Sequence, residues 1–191
     1  MMNKQYQYSQ DWFSHNIDGL KMMMRLLPDN KLFLEIGSYE GRSTCWFLQN
    51  GLADDGIIFC YDTWAGSEEH SAEQSRDLYA KFNNNIEIAK KPNQTVYSYM
   101  GKSVETIRRQ KHEYDFVYID GSHQAPDVLM DACLTFRMLK KGGIMVFDDY
   151  LWKDMPGVLH QPKIAIDAFV NIFSEQLETV MIGYQYGIRK L

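Results

Sequence analysis

The sequence predicts an α/β fold, a mostly parallel sheet of seven strands with helices on both faces. Three observations carry that reading. Short apolar segments alternate with longer ones whose apolar residues recur at steps of three and four. Each of the first five short segments ends at a polar or charged residue, as strands do where their carboxyl ends open on a ligand crevice. No repeat or low-complexity linker divides the 191 residues, a length suited to a single domain, 1–191, with a substantial core.

In chain order, the first element is a helix over residues 12–27, inside an N-terminal helical cap spanning 1–30. Its Met22-Met23-Met24 run suits core packing, and its place ahead of the first strand lets it cover a cleft. A strand follows at 32–36, then a turn from Gly37 to Gly41 that opens a helix, then a strand at 56–61. Ser71 and Gln74 make a capping box before a helix carrying Leu78, Phe82 and Ile86. Strands at 95–100 and 116–120 come next. Pro126 fits the first turn of a helix with Leu129, Cys133, Phe136 and Leu139 on one face, ended by Gly142-Gly143. A fifth strand at 143–147, a helix with Ile166, Phe169, Ile172 and Phe173, and a closing pair at 178–182 and 186–190 complete the chain.

Composition narrows the partners. A formal net charge of −5 and no long Lys/Arg block argue against a large nucleic-acid surface. The basic groups Arg108-Arg109-Gln110-Lys111 and Lys140-Lys141 read as helix ends, where cations complement the dipole. No apolar run approaches the roughly 20 residues that span a bilayer, and the polar start lacks the apolar core of a secretory signal, so a cytoplasmic location without membrane contact is expected. Cys45, Cys60 and Cys133 lack metal-ligand spacing and read as buried reduced thiols.

The chemistry gathers at the strand ends. In the run from Phe33 to Ser43, Gly37 and Gly41 permit a sharp turn and close approach of a ligand, and Glu35 adds a charge beside it. A dinucleotide site wants G-x-G-x-x-G, whereas this chain offers E-x-G-x-x-x-G, which suits a nucleoside cofactor without a pyrophosphate. Asp62, at the end of the second strand, is placed to accept both hydroxyls of a ribose, a contact NAD would also satisfy. Trp64 can stack on a base and Ser103 can bond its edge, with packing and helix capping as their plainer roles. Ser38, Ser43, Thr63 and Lys102 complete the same three turns as candidate cofactor contacts.

The glycine-turn pattern resembles the first motif of the class I S-adenosylmethionine-dependent methyltransferases. That resemblance implies S-adenosyl-L-methionine as cofactor, whose sulfonium and ammonium suit the acidic strand ends. It also implies the Rossmann-like methyltransferase fold, a mostly parallel seven-stranded sheet with an antiparallel closing strand.

The segments Tyr118-Ile-Asp-Gly-Ser-His123 and Val146-Phe-Asp-Asp-Tyr150 supply three carboxylates, Asp120, Asp148 and Asp149. Brought together, each pair at about 4 Å would repel by roughly 4 kcal/mol at an effective dielectric of 20, so the group needs a cation or a proton. An oxygen-only set favours a hard ion, magnesium ahead of calcium or manganese. The alternative is that one aspartate binds the cofactor, another caps a loop, and no metal is held.

These residues resemble, over nearly the whole chain, the small metal-dependent O-methyltransferases of the catechol and caffeoyl-CoA type and their antibiotic sugar O-methyltransferase relatives. The resemblance implies that Asp120, Asp148 and Asp149 hold Mg²⁺ against substrate oxygens, with Asp120 also near the cofactor. Two departures matter. His123 stands where the catechol and caffeoyl-CoA enzymes have a lysine, and an unperturbed pKa near 6.5 suits it to take a hydroxyl proton, alone or with Asp120 acting through water. Asp149 replaces an asparagine, as in the sugar-modifying branch, and makes the site more anionic, which favours a neutral acceptor such as a sugar or phenol.

The expected function is therefore metal-assisted O-methylation of a small hydroxylated molecule, by a chain for which a homodimer is allowed. A related hydroxylase or oxidoreductase and a non-catalytic cofactor-binding module are the alternatives, since fold does not fix chemistry. The loop 150–157, with Trp152, is placed to close the site or to plug the sheet edge. His160 and Lys163 are assigned no role.

Overall fold

The computed structural model describes residues 5–66, 71, 73–153 and 156–191, with the side chain of Arg109 also outside that description. Residues 154 and 155 of the expected closing loop therefore lie outside the described residues. β1 (Leu32–Ile36), β2 (Ile57–Asp62), β3 (Thr95–Met100), β4 (Tyr114–Ile119), β5 (Leu139–Phe147), β6 (Leu177–Ile182) and β7 (Tyr186–Lys190) form one sheet in the order β3-β2-β1-β4-β5-β7-β6. Pairing is parallel from β3 through β5, and β7 runs antiparallel between β5 and β6. The chain walks outward from β1 to β3 and returns to β4, so strand order reverses beside β1, the place at whose carboxyl ends open α/β sheets bind their ligands.

The helices are α1 (Ile17–Met24), α2 (Arg42–Asn50), α3 (Leu78–Ala89), α4 (Ser103–Thr106), α5 (Ala125–Arg137) and α6 (Pro162–Ile172). Alternation along the strands sorts the side chains into two layers. Leu34, Ile36, Val117, Ile119, Met145 and Phe147 pack with Val128, Phe136, Ile166 and Phe169 of α5 and α6. Phe33, Ile58, Phe116, Tyr118, Ile144 and Val146 pack with Leu20, Met23, Phe47 and Phe82 of α1, α2 and α3. β4, between the two layers, is buried along its whole length, as a central parallel strand must be.

The expected helix 12–27 is shorter. The Asp11 carboxylate accepts the Ser14 N–H at 2.9 Å and its hydroxyl at 2.7 Å, which starts a 3₁₀ turn at Ser14–Asn16 that leads into α1. Residues 5–13 instead run as an irregular strap over α2 and α3. Gln7 and Asn85 exchange two hydrogen bonds, 2.7 and 3.0 Å, in the manner of a β-ladder, and Phe13 is buried against Trp46 and Phe47.

Gly142-Gly143 does not end a helix. α5 stops at Arg137, Leu139 is already in β5, and both glycines lie inside that strand. Gly142 takes φ 78°, the β4–β5 register shifts at this point, and a Cβ on Gly143 would stand 2.9 Å from the Lys140 carbonyl oxygen. The glycines serve a bulge. Ser71 and Gln74 do make the reciprocal capping-box bonds, at 2.8 and 3.2 Å, but on a turn. Left-handed Asp77, at φ 56°, separates that turn from α3.

The three cysteines are free thiols, and burial pushes Cys45 up to about 12. Among the described residues no helix is long and apolar enough to cross a membrane.

Candidate active site

Period-two alternation puts Glu35 on the same side of β1 as Phe33, facing the start of α2. There its carboxylate accepts hydroxyl hydrogen bonds from Ser38 at 2.7 Å, from Ser43 at 2.6 Å, and from Thr44. The group is fully buried, and burial raises its pKa against the opposing pull of those hydroxyls. Three of the residues expected at the cofactor, Glu35, Ser38 and Ser43, thus form one internal knot that fixes the turn.

Within that turn Gly37, Tyr39 and Gly41 have φ of 86°, 47° and 78°. The space a Cβ would take on Gly37 is filled by the Asp120 carbonyl, and on Gly41 by the Phe82 ring at 2.9 Å. Both glycines answer to the packing of the chain on itself as well as to the turn.

Asp62 ends β2 and gathers two loops. Its Oδ2 accepts the Tyr39 N–H at 2.8 Å and its Oδ1 the Trp64 N–H at 2.6 Å. Trp64 is buried, packed on Tyr79 and Phe82, and donates its indole N–H to the Tyr39 carbonyl at 2.9 Å. The expected stacking residue is placed as a packed one, while Thr63 beside it is exposed. At the end of β3, exposed Lys102 precedes α4, and Ser103 makes no capping bond. Its hydroxyl donates instead to Asp131 of α5 at 2.5 Å. Burial holds that carboxyl up at about 7.

The carboxylates do converge. The parallel register pairs Ile119 with Phe147, so Asp120 and Asp148 follow side by side at the ends of β4 and β5. Both strand ends are tied in, Asp120 N to the Ile36 carbonyl at 2.8 Å and Asp148 N to the Ile119 carbonyl at 2.9 Å. Asp149 turns back at φ 56° to join them. One oxygen from each of Asp120, Asp148 and Asp149 lies within 4.8 Å of the others.

The crowding has an electrostatic signature. Burial, then the charges of Asp148 and Asp149, push Asp120 well above the usual carboxylate range. Burial and Asp149 raise Asp148 to about 7. An oxygen-only triad that resists triple ionisation fits a hard divalent cation. Asp62 and Asp120, at the ends of the two strands that flank β1, also suit a cofactor that carries a sulfonium and an ammonium.

Neighbouring side chains orient the triad. Asp148 accepts from the Asn16 amide at 3.0 and 3.1 Å, from the Asp149 N–H at 2.9 Å, and from the Tyr118 hydroxyl. Buried Gln185 donates to Tyr118 at 3.1 Å. Asp149 pairs with His123 Nε2 at 2.9 Å and accepts the Tyr184 hydroxyl at 2.7 Å. Trp152 lies on the His123 ring at 4.1 Å and His15 against Tyr184 at 5.1 Å. A connected rim of rings therefore surrounds Asp149. His160 bonds Gln124 and Lys163 bonds Tyr150.

Asn16, Tyr184 and Gln185 were not singled out from the sequence. Each reaches the triad from a distant segment, and no local spacing marks it. Tyr118 was visible only as part of the strand leading to Asp120, although its parity with Asp120 places both on one face.

A family model described as "Methyltransferase domain" matches residues 34–150. An uncharacterized protein of Acanthamoeba polyphaga mimivirus is 31% identical over 125 residues, 64% of this chain and 52% of that protein, so the chain spans about half the length of the curated relative it matches. Among solved structures, the O-methyltransferase from Bacillus cereus in complex with SAH superposes with a TM-score of 0.68 at 16% identity, covering 96% of this chain and 84% of that one. The apo TDP-rhamnose 3′-O-methyltransferase CalS11 of calicheamicin biosynthesis superposes with a TM-score of 0.59 at 16% identity, covering 93% and 81%. At such identities the likeness is one of fold.

Proposed function

This chain belongs to the methyltransferase-domain family, and from that premise we propose that it is an S-adenosylmethionine-dependent enzyme that methylates a hydroxyl of a small neutral acceptor, a sugar or phenol, with a divalent cation held by Asp120, Asp148 and Asp149. The observation that carries this reading is the convergence of the three carboxylate oxygens within 4.8 Å, with His123 hydrogen-bonded to the third.

When bound, the cofactor supplies an electrophilic methyl carbon and leaves as S-adenosylhomocysteine, and the cation, as a Lewis acid, lowers the pKa of the acceptor hydroxyl. The chain's own contribution is placement and proton handling. Asp62 ties the Tyr39 turn to the β2 end and so shapes the wall beside the crevice. His123 Nε2 stands 2.9 Å from the Asp149 carboxylate, and in the tautomer that donates there the imidazole is oriented to take the hydroxyl proton on its other nitrogen. Trp152 and Tyr184 line the rim around Asp149 and offer ring faces to a sugar or phenol. Three carboxylates outweigh one dication, so a neutral acceptor enters against less repulsion than an anionic one.

Calorimetric titration with S-adenosylmethionine and with NAD, each with and without Mg²⁺, tests the reading. Binding of the former alone, followed by Mg²⁺-dependent release of S-adenosylhomocysteine on adding polyhydroxylated or phenolic acceptors, is the expected result. Turnover unchanged by a chelator would remove the cation from the scheme.

A further inference from the structure

Asn16 stands at the N-cap position of α1, where an asparagine ordinarily bonds the free N–H groups of its own helix. It makes no such bond. Its backbone is already helical, at φ −88° and ψ −12°, because the 3₁₀ turn runs straight into α1, and its side chain turns away toward Asp148. It is 5% exposed, and its amide nitrogen lies 3.0 and 3.1 Å from the two oxygens of that carboxylate.

The position of Asn16 is set from several directions. Its N–H bonds the Phe13 carbonyl at 2.9 Å, and Phe13 is buried between Trp46 and Phe47. Upstream, the strap is pinned by the Ser9 N–H to Glu40 at 2.6 Å and by Arg42, which bonds the Gln10 carbonyl at 3.2 Å and covers the Tyr8 ring at 4.1 Å. The backbone that carries the amide cannot move without uprooting this anchor.

On Asp148 the Asn16 amide meets both oxygens, the Asp149 N–H bonds Oδ1 and the Tyr118 hydroxyl bonds Oδ2, so the carboxylate is held on both oxygens and its plane is fixed. We infer that Asn16 is a positioning residue: it fixes the orientation of the Asp148 carboxylate within the triad, and so makes the N-terminal strap the outer wall of the triad. The inference rests on the cation reading given above. Groups that bond a metal ligand from behind typically change metal affinity by about 10- to 100-fold when removed.

The test is Mn²⁺ binding followed by electron paramagnetic resonance, with S-adenosylmethionine binding and the metal-free melting temperature measured on the same samples. Asn16→Leu keeps the shape and removes the donors, and Asn16→Ser is a smaller polar variant in case the first does not fold. Mn²⁺ affinity at least about tenfold weaker in either folded variant, with S-adenosylmethionine affinity within about twofold of wild type, is expected. A folded variant that melts lower but binds Mn²⁺ like wild type would make Asn16 a merely structural residue and overturn the inference alone. A wild-type protein that binds no Mn²⁺ would overturn the cation reading and this inference together.

Discussion

Gly37 and Asp120 meet backbone to backbone: a Cβ on Gly37 would stand 1.8 Å from the Asp120 carbonyl oxygen. This contact seats the end of β4 against the turn after β1 and places the first triad aspartate. Gly37→Ala combines a clash with main chain and a strained φ of 86°. It should cost more than about 3 kcal/mol in urea unfolding. A loss under about 1 kcal/mol would mean that the two strand ends can part freely.

Asp120→Asn should separate stability from metal response. It removes one of three crowded carboxylates, the one pushed up by burial and by both neighbours. The metal-free protein should melt higher than wild type, and the Mn²⁺-induced rise in melting temperature should disappear. A variant that melts lower without metal would show that Asp120 is already balanced by the protein.

His123→Gln should lower kcat by about 10²- to 10⁴-fold and leave acceptor KM nearly unchanged, the mark of a group needed for proton removal. A fall in kcat of less than about threefold would move that role to Asp120 through water.

Asp131 gives a pH dependence of known sign. Its folded pKa, about 7, lies above the ordinary 3.8, so the folded state holds the proton more tightly. Its contribution is fully present below pH 3.8 and is lost as pH rises through about 7. Asp131→Asn keeps an acceptor for Ser103 and removes that loss. Between pH 4 and pH 8 the variant should gain on wild type by up to about 4 kcal/mol, read from unfolding curves at each pH. Parallel pH profiles would show that Asp131 titrates normally.

Much of the fold was legible because it is written in local periodicity. Strands at 32–36, 95–100 and 186–190 follow from short apolar runs bounded by polar turns. Gly142-Gly143 was misread as a helix stop because a bulge inside a strand and a helix terminus both demand a left-handed glycine, and only the β4 register separates them. In the site, Asp120, Asp148 and Asp149 were readable from their strand-end positions, and their convergence follows from parallel register. For Trp64 the sequence left base stacking and packing open, and the Tyr39 carbonyl and the α3 rings hold it inside. Asn16 and Tyr184 left no local trace, since their partners lie in remote parts of the chain.

The same remoteness makes the order of assembly predictable. Asn16 and Asp148 are 132 positions apart, so their contact closes a loop that takes in nearly the whole central sheet. Contacts of such long separation are slow to form, because the intervening chain must give up its freedom before they contribute. In stopped-flow refolding, far-ultraviolet ellipticity should therefore recover before Mn²⁺-binding capacity. The brace on the triad forms late, when the strap before α1 meets the end of β5.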